Sequence, residues 1–156
     1  MMVENRRKWI LAAIGLVVVG TPVVLLSGWT LDAVQARIRR GVEDGKTEPW
    51  MPAWQIQVAQ IYHYTLRDEG AAEAFAQYYS LFYEADRAAD DAKANERAQE
   101  MIWDYANVLD GLDRRAESCY YLRELLRDWP DHPSAKSAES RENTLTHEGH
   151  GNWKPK

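Results

Sequence analysis

The sequence predicts an all-α chain: a single N-terminal transmembrane helix followed by a helical-hairpin domain of about four helices. Two observations carry that expectation. From Trp9 to Trp29 there are 21 residues without a charge. Between Trp54 and Trp129 apolar residues recur at steps of three and four, the spacing that lines one face of an α-helix and excludes alternating strands. Beside such an anchor, 156 residues leave room for one small domain. The expected organisation is an N-terminal tail and spanning helix (1–29), a juxtamembrane helix and linker (30–53), a helical domain (54–133) and a polar C-terminal tail (134–156).

The span Trp9–Trp29 would make about 30 Å of helix, the thickness of a bilayer's hydrocarbon core. Trp at either end suits the interfacial aromatic belts, and Arg6, Arg7 and Lys8 form a positive flank. Pro22 removes one backbone donor inside it. Processing residues are lacking: Leu26-Ser27-Gly28 opens like a lipobox, but Trp29 stands where the acylated cysteine belongs, and Val34-Gln35-Ala36 lies past the apolar run. The expectation is a single-pass protein of a bacterial inner membrane with the domain on the periplasmic side. Over 30–42, Leu31, Val34 and Ile38 share one helical face and Arg37, Arg39 and Arg40 lie off it. That pattern suits either a helix at the headgroup level or one that buries its apolar face in a partner. The stretch from Glu43 to Pro52 mixes charge, glycine and proline and reads as a linker.

Four helices follow. The first carries Trp54, Val58, Ile61, Tyr62 and Leu66 and is expected to stop at Gly70. The second carries Ala71, Phe75, Tyr78, Tyr79 and Phe82 and fades into the charged run 84–96. The third has Ala98, Ile102, Tyr105, Leu109 and Leu112, broken near Gly111; the fourth has Cys119, Leu122, Leu125, Leu126 and Trp129, stopped by Pro130 and Pro133.

The later hairpin resembles a tetratricopeptide repeat (TPR). Ile102, Tyr105, Ala106 and Leu109, then Ser118, Leu122, Leu125 and Pro130, fall on that family's packing positions without a gap. Ser118 replaces the usual alanine, Leu122 the usual aromatic, and Asp113 stands where a turn glycine is common. In the earlier hairpin Val58, Ala59 and Tyr62 suit the first helix, but about three extra residues are needed to align Ala74, Tyr78 and Leu81. The resemblance covers about half the chain. It implies stacked helical pairs sharing one core and a protein-binding role. Arrays of this kind usually need about three units and a polar cap. Two units are present, with Ser134–Thr146 as a capping helix that could turn Ala135, Ala138 and Leu145 inward.

Charge narrows the partners. Residues 1–40 hold six Lys or Arg and two acids, leaving 13 basic and 22 acidic groups beyond them. A domain that acidic is repelled by phosphate, so no nucleic-acid partner is expected. No phosphate loop, nucleophile elbow or cysteine pair is present, so no catalytic residue, cofactor or metal site is expected. His147 and His150 flank a glycine that argues against the helix a two-histidine zinc site needs. His63 and His132 read as bordering or exposed residues, Asp90-Asp91 as a solvated charge run, and Cys119 as a small core residue. The tail Glu139–Lys156 has a composition that stays disordered unless something holds it.

The function expected from these features is a non-catalytic accessory or scaffold subunit of a larger membrane complex, of the respiratory or photosynthetic kind. It would dock by its helix, contact the lipid bilayer and bind a partner through the helical domain, on a face the sequence does not specify. The alternative is a free-standing anchored adaptor that recruits soluble clients or assembly factors.

Overall fold

The computed structural model describes residues 28–154. Among them are seven α-helices and one π turn, and no strand. Helix α1 is Gly28–Glu43, α2 Met51–Tyr64, and α3 Asp68–Tyr78, which runs through the π turn Tyr79–Tyr83 into α4, Glu84–Ala88. Then come α5, Ala92–Gly111, α6, Arg115–Asp128, and α7, Ala135–His147. Packing is serial: α1 lies on α2, α2 on α3, α3 and α4 on α5, α5 on α6, and α6 on α7.

The expected transmembrane architecture is corrected. Residues 9–27 of the anticipated span lie outside the described residues, and no helix among the described residues is long and apolar enough to cross a membrane. The single-pass assignment and the inner-membrane location that depended on it are withdrawn. Gly28 and Trp29, the last two residues of that span, instead open α1. The α1 face that suited a headgroup layer is used by the protein itself. Leu31 and Ile38 are buried and Val34 packs beside them. Tyr62 on α2 donates to the Asp32 carboxylate and, at 3.3 Å, to the Gly28 carbonyl. Amphipathic periodicity reports a face that must be covered, not what covers it.

Four helical segments, 51–64, 68–88, 92–111 and 115–128, occupy the expected helical domain, but helix also extends into residues read as linker and charged run. Met51 and Pro52 are buried in the first turn of α2, where proline's missing N–H costs nothing. Asp91, read as part of a solvated run, accepts from the Lys93 backbone N–H at 3.1 Å and caps α5. The capping helix expected over Ser134–Thr146 is present as α7, which buries Ala138 and Leu145 against α6 and leaves Ala135 half-buried.

Four helix ends, those of α1, α2, α5 and α7, share one device. At α2 the Arg67 N–H bonds the Tyr62 carbonyl and the Leu66 N–H bonds His63; at α5 Arg114 bonds Leu109 and Asp113 bonds Asp110. These six-to-one and five-to-two bonds form the Schellman motif, which requires a left-handed residue just past the helix. Leu66 (φ 57°) and Asp113 (φ 60°) take that place. Gly45 after α1 and Gly149 after α7 do the same with less strain. The expected stop at Gly70 therefore lies one turn too late. Gly70 sits inside α3, where a Cβ would come within 3.0 Å of the Tyr62 ring.

The core runs from Ile38 through Val58, Phe75 and Met101 to Leu109, Leu125 and Leu145, all at most 1 % exposed. The π turn, wider than an α turn by one residue, brings Tyr79 onto Tyr83 at 4.7 Å. Tyr79 then meets Tyr121 edge-on at 5.1 Å, and Tyr83 meets Trp129 at 6.2 Å, so the π turn is where α3 and α4 lock onto α6. Most of the aromatics thus serve the interior; Trp54 and Tyr64, by contrast, stand exposed.

Candidate functional site

The first helices of the two hairpins, α2 and α5, lie side by side, and each presents a polar stripe beside its buried one. On α2 the stripe is Gln57, Gln60 and Tyr64; on α5 it is Glu100, Asp104 and Asn107, spaced by three or four residues so that they share a face. The stripes meet where the Gln60 side-chain amide donates to Asp104 at 3.2 Å. Gln57 in turn donates to the Gln60 side-chain Oε1 at 3.3 Å, which orients the amide.

Two cavities open at this seam. One, of about 370 Å³, is bounded by Glu100, Trp103, His132 and Ser134; the other, of about 170 Å³, by His63, Tyr64, Phe75 and Asn107. Gln60 and Asp104 line both, so the groove at the α2–α5 seam consists of two neighbouring cavities with the hydrogen-bonded Gln60–Asp104 pair as their shared wall. Trp103, half-buried, walls one side, and Tyr64, 80 % exposed, stands at the other end.

The groove is acidic and lacks a balancing cation. Burial raises the Asp104 carboxyl above its usual range, opposed in part by the Gln60 hydrogen bond and the His63 charge. His63 is engaged elsewhere, its Nδ1 lying 2.7 Å from Asp68. The His132 Nδ1 accepts from the Ser134 backbone N–H at 3.1 Å. No Lys or Arg lines either cavity. A larger hollow of about 520 Å³ lies between α1 and α3, but it holds both charge signs, with Arg39 beside Glu43 and Glu73. Its Gln77 amide is already spent on the Gln35 carbonyl at 3.3 Å.

The residues singled out in the sequence do not converge. Cys119 is buried beside Glu142 and Thr146 of α7. His147 ends α7 and His150 follows in the tail. Among the described residues no group of three His, Cys, Asp or Glu could hold a metal ion. The tail expected to need an outside partner is held by α6. Arg123 bonds the Gly151 carbonyl, Glu142 and Thr146, and Trp153 packs edge-on against Tyr120 at 5.4 Å.

The groove residues Gln60, Glu100, Trp103 and Asp104 drew no notice in the sequence, where a polar stripe beside an apolar one looks like a solvated helix face. Comparison with protein-family models, with curated proteins and with solved structures finds no match.

Proposed function

We propose that this chain is a non-catalytic binding module, an accessory or scaffold subunit of a larger protein assembly, built as a TPR-like helical array. The groove between α2 and α5 would be its docking face. The observation that carries this reading is the groove itself, a seam of half-buried polar and aromatic side chains on the paired first helices. Two features support the repeat reading: the hairpins α2–α3 and α5–α6 turn through the same left-handed motif at Leu66 and Asp113, and α7 closes the end of the stack. Each hairpin buries only part of its apolar surface alone, and stacking covers the rest.

Purifying the tagged full-length chain from its native source, with and without Trp103→Ala and Asn107→Ala, tests the reading. A partner present at fixed stoichiometry and lost from the groove variant, with helicity retained, is the expected result. A partner retained undiminished by the groove variant would overturn the docking assignment. Varied clients at low occupancy would replace the fixed subunit with an adaptor that recruits soluble proteins.

A further inference from the structure

We infer that the α2–α5 groove selects a cationic linear segment, a Lys- or Arg-bearing stretch of a partner protein, with the positive group seated between Asp104, Glu100 and the Trp103 ring. This rests on the groove being the docking face and adds the chemistry of what docks.

The ion-pair inventory of the molecule points to it. Four other carboxylates that face neighbouring helices are matched by arginine: Asp86 to Arg97 at 3.1 Å, Asp110 to Arg141 at 2.7 Å, Asp128 to Arg87 at 3.3 Å and Glu142 to Arg123 at 2.5 Å, whereas Asp32, which accepts from Tyr62, is exposed to water. Asp104 and Glu100 enter no ion pair among the described residues, although Asp104 is half-buried between two helices. Among the described residues its only hydrogen-bonding side chain is the neutral Gln60 amide. Withdrawing a carboxylate from water without a counter-charge is unfavourable, so a fold that keeps one in a groove leaves an incoming cation a gain at that position.

Shape and aromatics agree with charge. The two cavities are lined from the same two helices, α2 and α5, an arrangement that an extended chain can follow by passing over the shared Gln60–Asp104 wall. Trp103 beside the two carboxylates offers a ring face to an ammonium or guanidinium group, and Tyr64 offers a second at the far end. The side-chain amides of Gln60 and Asn107 supply donors and acceptors suited to peptide backbone.

The test uses the full-length chain and three fluorescein-labelled synthetic peptides matched in length and in Leu, Ser and Tyr content. One carries Lys and Arg, one is uncharged, and one carries Glu and Asp. Anisotropy titrations at low and high salt should show the basic peptide binding about tenfold tighter than the uncharged one, with the preference shrinking as salt screens it. Glu100→Gln and Asp104→Asn should each weaken basic-peptide binding roughly fivefold. Glu100→Lys should shift the preference toward the acidic peptide. Glu100 is exposed and Asp104→Asn keeps an acceptor for Gln60, so far-UV circular dichroism should show unchanged folding. Basic-peptide binding that ignores both neutral substitutions would overturn the inference as diffuse attraction to an acidic protein. An uncharged peptide that binds equally well and is lost with Trp103→Ala would overturn the charge selection while leaving the groove as a docking face. Failure of all three peptides would also overturn it, and the native purification above then decides separately whether the groove docks a partner.

Discussion

Gln60 on α2 donates its amide to Asp104 on α5 across 3.2 Å, a bond that joins the two hairpins and leaves the half-buried carboxylate facing a groove lined by no Lys or Arg. Residues that bind rather than stabilise are expected to look like this, since a site kept ready for a ligand is seldom the most stable arrangement of the free protein.

The first prediction follows from that cost. Burial holds the Asp104 carboxyl above its ordinary value. Through the window from about pH 4 upward to the raised value, the folded chain keeps a proton that the unfolded chain has released. This group's contribution to stability is therefore full at low pH and lost as pH rises. Asp104→Asn removes that loss and preserves the Gln60 bond. Its melting temperature at pH 7 should equal or exceed that of the parent. A fall of about 4 °C or more, equivalent to roughly 1 kcal/mol, would mean that the charge itself holds the hairpins together.

Leu66 gives a second. A left-handed conformation costs a side-chain-bearing residue about 1–2 kcal/mol, and glycine escapes it at a smaller entropic penalty. Leu66 is 89 % exposed, so little packing is lost with its side chain. Leu66→Gly should stabilise the chain by up to about 1 kcal/mol, seen as a higher urea midpoint with an unchanged slope. Asp113→Gly should gain less, because Asp113 also pairs with Arg115 at 2.8 Å. Destabilisation by Leu66→Gly would contradict the assigned turn.

The Asp86 cluster marks the opposite extreme. Asp86 is buried and takes hydrogen bonds from the Tyr78 hydroxyl and from two Arg97 nitrogens at 3.1 Å, tying the α3–α4 rod to α5. Removing one partner of a buried pair typically costs about 3–5 kcal/mol, because the other charge is left unmatched. Asp86→Ala should lower the melting temperature accordingly. A loss below about 1 kcal/mol would show that Arg97 escapes to solvent.

For the C-terminal helix, Leu145→Ala should cost about 2–5 kcal/mol, since Leu145 is fully buried where α7 meets α6. His147→Ala combined with His150→Ala should change stability by less than about 0.5 kcal/mol. Thermal melts of the two variants side by side check both. Equal effects would mean that the histidines hold the tail and that Arg123 and Trp153 do not.

What could be read in advance follows from what burial imposes on a sequence. Ile102, Tyr105 and Leu109, and Leu122 with Leu125, announce α5 and α6 because each helix buries a single face. Leu66 gives no sign of its left-handed backbone, since leucine has no preference for it. The π turn at Tyr79–Tyr83 likewise hides among aromatics that fit an ordinary α-helix. The face Leu31, Val34 and Ile38 was legible as something covered, yet a bilayer, a partner and α2 all satisfy the same periodicity. The Gln60–Asp104 meeting spans 44 positions in sequence and exists only once α2 and α5 are packed. No local pattern could have placed a site there.

Amide hydrogen exchange on the full-length chain, free and within the assembly it co-purifies with, tests the central claim most directly. Partner binding in the groove should slow exchange at 57–64 on α2 and 100–107 on α5, leaving the outer faces of α1 and α7 unchanged. Protection confined to α1 or to the α6–α7 end, with α2 and α5 exchanging as in the free chain, would contradict the assignment of this groove as the docking face.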